Sequence, residues 1–368
     1  MPHAGFPLAG RLYFMENESS PSQLSQKLGL ALGIAFSLVF TGLIWMFGPW
    51  LDAVELRPER EIAFWYPWVS ASPTIWTRLS VWGLYAAHQL TVWWLIWRAQ
   101  SRATGYSNSL SHINVLALLA NAIFITLHFI QTHIFYDGLA IDVPEQSSQW
   151  SVILLLVIVL LMENQRRGLF FGLKVKGSMV EESARVLRKY HGYYFAWAII
   201  YTFWYHPMVS TPGHLLGFLY MFLLMLQGSL FFTRMHVNKW WMVTQEVLVL
   251  IHGTLVALNN APDFWQMFCF GFAGLFVVTQ MHGLGLSLPT RWAFLIAYVG
   301  GVALVFSRVG LRHLHQITWI PLTEYAVVFV IAAVVWAAMK VLNLKNRPRA
   351  RLQDVDDDRS GGATSREE

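Results

Sequence analysis

Cysteine and charged residues are scarce in this chain, and several common enzyme motifs are missing. The one cysteine among 368 residues, Cys269, cannot form an intrachain disulfide and lies in an apolar run, so thiol redox chemistry and cysteine-based metal sites are not expected. We find no Walker A loop, no Gly-x-Ser-x-Gly elbow, no His-Glu-x-x-His helix and no dinucleotide fingerprint. The closely spaced histidine boxes typical of membrane desaturases are missing too. No short motif therefore assigns a reaction.

The overall composition is typical of a membrane protein. Hydrophobic residues make up 55% of the chain and charged residues only 13%, which excludes an ordinary soluble globular domain. The formal net charge of +5 comes from loops and a tail beside apolar stretches. Such charges suit anionic lipid headgroups, and no nucleic-acid-binding motif accompanies them. Lipid is therefore the expected partner, and nucleic acid is not.

Apolar stretches long enough to cross a bilayer recur along the chain. A helix needs about 20 apolar residues to span the hydrocarbon core, and helices satisfy their own backbone hydrogen bonds there. Proline, glycine and asparagine separate the closely spaced later stretches. This pattern predicts an all-α, polytopic bundle of about ten transmembrane helices, at 28–51, 75–97, 113–134, 147–163, 191–209, 213–233, 238–258, 264–283, 291–307 and 320–342.

Loop charges predict the orientation of the bundle. The loop after the fourth stretch, 164–190, is the richest in lysine and arginine, so we expect it to be cytoplasmic. Counting outward from it places both termini on the same side. Within this loop, residues 182–190 have an amphipathic pattern that is typical of a helix on the membrane surface.

The sequence divides into a leader, a membrane domain and a tail. Residues 1–26 lack the features of a secretory signal and are expected to be a cytoplasmic leader. Residues 27–343 form the predicted transmembrane domain, and the basic, then acidic segment 344–368 is expected to be a disordered cytoplasmic tail. The localisation predicted is a multi-pass protein of the plasma (inner) membrane, if the source is bacterial.

Histidines at membrane depth are the best candidates for function, because ionisable groups there are costly and are often functional. At 1.5 Å per helical residue, His128 and His252 lie at the same depth, about 9 Å below the outer ends of their helices. His206 and His214 flank a short turn with proline and glycine, which would hold both rings at the outer mouth. His133 lies near the outer end of the third stretch.

These outer histidines predict a metal site. We predict that His128, His206, His214 and His252 bind iron, copper or zinc, with His133 as an additional ligand or catalytic proton donor. A haem held between His128 and His252 is an alternative. A third interpretation is that each imidazole only forms a hydrogen bond between helices.

Two further features leave alternatives open. Glu246 is the most central acid, and it is predicted to be a catalytic proton relay, although a packing hydrogen bond is more common; Arg78 or His88 would be its partner. A second histidine group is expected at the inner helix ends, where side chains commonly contact headgroups: His112, His191, His236 and His282.

The leading functional prediction is a metal-dependent membrane enzyme that oxidises or hydrolyses a lipid or other hydrophobic small molecule. Hydrolysis would use metal-activated water. Oxidation would need electrons from a redox donor, and a membrane protein partner is compatible with either. The alternatives are a bis-histidine haem electron-transfer protein and a proton-coupled transporter or membrane assembly factor.

Overall fold

The structure, a computed structural model, describes residues 24–58, 66–103 and 105–342, and these ranges fold into helices with no β-strand. The predicted leader 1–26 lies almost wholly outside these residues, and the predicted tail 344–368 lies wholly outside them. The α-helices are α1 (Gln26–Phe47), α2 (Ile75–Arg102), α3 (His112–Phe135), α4 (Glu145–Arg167), α5 (Ser178–Tyr205), α6 (Pro212–Ser229), α7 (Lys239–Asn260), α8 (Trp265–Val278), α9 (Leu288–Val309) and α10 (Trp319–Val341).

Seven helical segments are long and apolar enough to cross a membrane, which supports a multi-pass membrane protein. Helices α2, α5 and α6 are not among them, so the predicted number of ten spans and the side of each terminus remain predictions. Large apolar side chains such as Trp45 on α1 and Ile296 on α9 face outward, where lipid would cover them. The seven segments are Gln26–Leu51, His112–Phe135, Glu145–Arg167, Lys239–Asn259, Pro262–Gly283, Leu288–Val309 and Leu311–Val341.

Capping residues set the starts of several helices. The Ser111 hydroxyl accepts a hydrogen bond from the backbone N–H of Asn114, and Oδ1 of Asn114 accepts one from the backbone N–H of Ser111, which forms a capping box at the start of α3. Thr211 caps α6 in a similar way, with Pro212 at the first helical position. The helix breaks therefore follow from local chemistry that the sequence displays.

The two largest of four apolar clusters in the described residues hold most of the helices together. One lies where α1, α2, α5 and α6 meet, and Trp204 and Phe218 are fully buried in it. The other joins α4, α8 and α10 with the first part of α5, around Leu160 and Val328. Helix α5 belongs to both clusters, so it fixes the relative positions of the two sets of helices.

The predicted surface helix over 182–190 is not a separate element. Helix α5 runs without a break from Ser178 to Tyr205, and Ser183 and Ala184 of this segment are buried. The hydroxyl of Ser183 donates to the carbonyl oxygen of Ala332 on α10. The first part of the segment therefore packs against α10 instead of lying along the membrane surface.

Candidate functional site

A cavity of about 2510 Å³ lies mainly among α4, α5, α6 and α7, with further lining residues from α2, α3, α8 and α10. Each helix contributes residues spaced three or four apart, as one helix face does. Along α5 the lining runs from Glu182 to His206 at the end of the helix, a rise of roughly 36 Å at 1.5 Å per residue, which is enough to cross a hydrocarbon core of about 30 Å. We call the end at Tyr66, His206 and His214 the histidine end.

Three side chains from separate elements meet at the histidine end. The hydroxyl of Tyr66 lies 2.8 Å from Nδ1 of His206 and 3.1 Å from Nε2 of His214. Nδ1 of His214 lies 2.7 Å from Oγ1 of Thr211, the cap of α6. A continuous chain of hydrogen bonds therefore runs from Thr211 to His206.

Local sequence explains why the two histidines adjoin. Pro207 disfavours helical geometry at the preceding residue, and His206 is extended, so α5 ends at Tyr205. Thr211 and Pro212 restart the chain as α6 after a short link. The ring centroids of His206 and His214 are 5.5 Å apart, as the short connection between them predicts.

The hydrogen-bond chain has a definite direction when Nε2 of His206 is unprotonated. Nδ1 of His206 then donates to the Tyr66 oxygen, and the Tyr66 hydroxyl donates to Nε2 of His214, because a hydroxyl has one proton to give. Nδ1 of His214 in turn donates to Thr211. Burial raises the pKa of Tyr66, which lies outside the helices, well above its ordinary value, so the phenol stays neutral. Nε2 of His206 has no hydrogen-bond partner among the described residues.

Polar groups without partners line the cavity further along α7. His252 packs over Gly217 of α6, where a Cβ atom would lie 3.1 Å from its ring. Its Nδ1 is buried and unpartnered, and so are both amide atoms of Gln245, two turns away. Buried polar atoms normally have partners, so a polar ligand or water in the cavity would satisfy these.

His128 is close to this region, but its ring nitrogens are occupied. Nε2 donates to the carbonyl oxygen of His206 at 2.9 Å, and Nδ1 lies 3.2 Å from Oε1 of Gln131. The ring is fully buried against Trp204. To bind a metal or a haem iron, as predicted, His128 would have to give up one of these contacts.

His133, predicted to be catalytic, faces a different part of the molecule. Its Nδ1 donates to the carbonyl oxygen of Phe129 at 2.8 Å, and its ring packs against Phe47 of α1. The cavity lining does not include it. Five residues separate it from His128, which is too far from a whole number of helical turns to place both on one face.

Glu246 lines the middle of the cavity and is paired with Arg167. Nη1 of Arg167 donates to both carboxylate oxygens of Glu246, at 2.7 and 2.9 Å, and both side chains are buried.

The two partners that the sequence suggested for Glu246 form their contacts elsewhere. Arg78 pairs with Asp142. His88 accepts from Trp204 and donates to Asn121. Arg167 was expected in a basic loop, and its burial as the last residue of α4 is a correction to that expectation.

The second histidine group does not assemble as a unit. His191 and His236 lie together at the opposite end of the cavity, with ring centroids 6.2 Å apart. Each donates Nδ1 to a backbone carbonyl oxygen, of Arg188 and Gln227 respectively. His282 lies elsewhere, beside Phe171.

No group of three or more His, Cys, Asp or Glu side chains within 24–58, 66–103 and 105–342 is arranged to hold a metal ion. Of the four predicted ligands, His206 and His252 have ring nitrogens without partners, whereas His128 and His214 are occupied at both. The metal site remains a prediction.

Tyr66 is the functional candidate that the sequence did not indicate. It lies in an aromatic segment ahead of α2, beside Pro67 and Trp68. Its neighbour Trp68 packs edge-on against His214, so Tyr66 and Trp68 both cover the histidine end. The residue before a proline in an aromatic run carries no spacing signal that would single it out.

Comparisons with known proteins assign no family to the chain. No protein-family model matches it, and neither a curated protein nor a solved structure does. The function must therefore be inferred from the geometry of this cavity.

Proposed function

We propose that the protein is a membrane-embedded enzyme that hydrolyses an ester bond of a lipid or other amphiphilic substrate, with His206 as its general base. The observation that carries this proposal is the hydrogen-bond chain through Tyr66, which ends in an unpartnered ring nitrogen on a cavity of bilayer length. Such a cavity is long enough for an apolar chain, and in the proposed complex the polar group of the substrate lies beside His206.

In the proposed reaction, Nε2 of His206 takes a proton from water as the water oxygen bonds to the ester carbonyl carbon. The bond from this carbon to the ester oxygen then breaks, and His206 returns the proton to the departing oxygen. The products are a carboxylic acid and an alcohol, so no oxidant or reductant is needed.

Tyr66 and His214 support the base. Tyr66 accepts from Nδ1 of His206, which fixes the tautomer that leaves Nε2 free. It also links the ring to His214, so positive charge that develops on His206 is shared along the chain as its protons shift. Thr211 holds the far end of the chain.

The test is a comparison of lipid products. Purified protein in detergent is incubated with a total lipid extract, and the products are measured by mass spectrometry for the wild type, His206→Ala and Tyr66→Phe. We expect a fatty acid and its matching alcohol or lysolipid to accumulate with the wild type, much more slowly with Tyr66→Phe and most slowly with His206→Ala. His315→Ala, an exposed histidine away from the cavity, is the matched control. Equal products from wild type and His206→Ala would reject the proposal.

The metal-dependent enzyme is the competing version of this chemistry. His206 and His252 would be its first ligands, because their ring nitrogens have no partners. Elemental analysis of the same samples separates the two versions. Stoichiometric iron, copper or zinc that is lost in both His206→Ala and His252→Ala would replace the general-base mechanism with metal chemistry.

A transporter is the second candidate function, favoured by the length of the cavity. The lining reaches from Tyr66 to Lys340, with polar groups at both ends. Transport would be supported if a substrate crossed the membrane of proteoliposomes without any change in the covalent structure of the substrate. Product formation in detergent, where no two sides exist, would support the enzyme.

A further inference from the structure

The end of the cavity opposite His206 is rich in cationic side chains, and we call it the basic end. Two acidic side chains, Glu163 and Glu182, share this end, and Glu163 pairs with Arg166. The cationic residues that line it are Arg166, Arg185, Arg188, Lys189 and Lys340.

Four of these cations form no ion pair within the part of the chain that the structure describes, and one of the four, Arg188, donates to the carbonyl oxygen of Met162. Arg185, Lys189 and Lys340 are exposed, and none of them is in a salt bridge there. Two of them lie over aromatic rings, with Nζ of Lys340 3.5 Å from the ring centroid of Trp336 and Nζ of Lys189 5.1 Å from that of Tyr190. These contacts hold the ammonium groups without neutralising them, so the basic end has an excess of positive charge.

An apolar surface continues from the basic end into the cavity. Leu155, Val159 and Met162 are spaced four and three apart on α4, and Phe195 and Ile199 are four apart on the facing helix α5. None of these side chains offers a hydrogen bond. The cavity therefore has a charged mouth and an apolar wall in direct succession.

We infer that the basic end is a binding site for an anionic phospholipid, taken from the leaflet on that side. The phosphate would contact Arg185, Lys189 and Lys340, and one acyl chain would lie along the stripe of α4 and α5. Guanidinium groups bind phosphate oxygens in pairs, and lysines add point charges. An apolar chain in a leaflet occupies about half of the 30 Å hydrocarbon core, which fits within the cavity.

This lipid site is distinct from the proposed catalytic end. Lys189 and His206 are both on the cavity face of α5, separated by roughly 26 Å at 1.5 Å per residue. A headgroup at the basic end is therefore too far from His206 for its own ester bonds to react there. The inference does not depend on the proposed hydrolysis, because binding is measured without turnover.

The test compares two lipids with identical acyl chains. The affinities of dioleoyl-phosphatidylglycerol and dioleoyl-phosphatidylcholine for the full chain in detergent are measured by native mass spectrometry. We expect the anionic lipid to bind at least tenfold more tightly. In the double variant Arg185→Gln/Lys340→Gln this preference should fall to less than threefold, with an unchanged melting temperature. Equal affinity of the wild type for the two lipids would overturn the inference.

Matched controls distinguish binding at a specific site from attraction of the lipid by surface charge in general. Arg98→Gln/Arg234→Gln removes two cations near the same face that do not line the cavity, and it should keep the full preference. An equal loss in this control would mean that surface charge alone attracts the lipid. Inorganic phosphate at millimolar concentration should not displace the lipid; complete displacement would identify a free-anion site instead.

Variants at the histidine end distinguish a failure of the lipid-binding inference from a failure of the proposed hydrolysis. Tyr66→Phe should retain the lipid preference even if it abolishes hydrolysis. Loss of the preference in Tyr66→Phe would place the lipid headgroup at the histidine end and contradict the inference. Loss of hydrolysis with retained binding would instead bear only on the proposed enzyme.

Discussion

The hydroxyl of Tyr66 lies 2.8 Å from Nδ1 of His206, although 140 residues separate the two in sequence. Tyr66 is held by ring contacts with Trp68 and Tyr205 as well as by this hydrogen bond. The aromatic ring can therefore stay in place when the hydroxyl is removed. Replacing Tyr66 with phenylalanine therefore tests the hydrogen bond to His206 separately from the packing of the ring.

Replacing Tyr66 with phenylalanine should slow the reaction while the protein remains folded. The variant loses the group that fixes the tautomer of His206, and we expect kcat to fall by about tenfold to a hundredfold with little change in KM. His206→Ala removes the base itself, so its loss should be about 10²- to 10⁴-fold. Initial rates of product formation measure both effects. A wild-type kcat for Tyr66→Phe would show that the tyrosine is not part of the catalytic chain.

The buried ion pair between Arg167 and Glu246 should dominate the effect of replacing either residue. Removing one partner leaves an unpaired buried charge, so Glu246→Leu and Arg167→Met should each destabilise the protein by about 3–5 kcal/mol. The double variant should recover most of that loss, because no buried charge remains. Thermal unfolding in detergent of the wild type, both single variants and the double variant gives the coupling energy.

The same set of variants tests whether Glu246 is also a proton relay. A structural pair predicts that the double variant regains activity together with stability. If the double variant is stable yet inactive, the carboxylate has a role in the reaction beyond pairing with Arg167.

Helix positions could be predicted from the sequence because local signals determine them. Apolar stretches predict where the helices run, and residues such as Thr211 and Pro212 predict where they begin. The ten α-helices of the described residues therefore lie close to the ten predicted stretches. Helix α5 is the main exception. Its charged first part, which begins at Ser178, falls within the predicted loop 164–190, where the sequence predicts only a separate surface helix over 182–190.

The candidate site could be predicted only in part, because depth in the membrane does not fix rotation about a helix axis. His206 and His214 adjoin because a short link leaves them little freedom. His133 has a suitable depth but faces α1, which only the packing of α3 decides. Tyr66 and Arg167 reach their partners through tertiary contacts across 140 and 79 residues, for which the sequence has no local signal.

Gly138 should tolerate no side chain, because it touches the backbone at the end of α5. A Cβ atom there would lie 2.3 Å from the carbonyl oxygen of Tyr205, next to His206. A backbone atom cannot rotate away, so Gly138→Ala should displace this loop from the histidine end, lower the melting temperature and reduce activity. Destabilisation of about 1–3 kcal/mol is expected for such overpacking.

Gly42 offers the matched control for that prediction. It lies within α1, and a Cβ atom there would meet nothing within 4 Å. Gly42→Ala should therefore be neutral or stabilising by up to about 1 kcal/mol, since alanine favours helix. Similar melting temperatures for the two alanine variants would contradict the role assigned to Gly138.

The carboxyl group of Asp137, between α3 and α4, should make stability depend on pH. Oδ1 accepts from the backbone N–H of Ser70 at 2.8 Å, whereas Oδ2 is buried without a partner. Burial raises the pKa of Asp137 to about 6, against the lowering effects of the Ser70 hydrogen bond and of Arg57 and Arg78. The folded protein thus holds a proton that the unfolded chain releases near pH 4.

Because the folded state binds the extra proton, the contribution of Asp137 to stability is present at low pH and is lost as the pH rises from about 4 through 6. Asp137→Asn keeps an oxygen for the Ser70 N–H and removes the charge. Its melting temperature relative to wild type should therefore increase between pH 4.5 and pH 7.5. Asp263→Asn, which removes an exposed carboxylate, is the control for the change in net charge. A constant difference between Asp137→Asn and wild type across this range would show that the carboxyl group is ionised in the folded protein throughout.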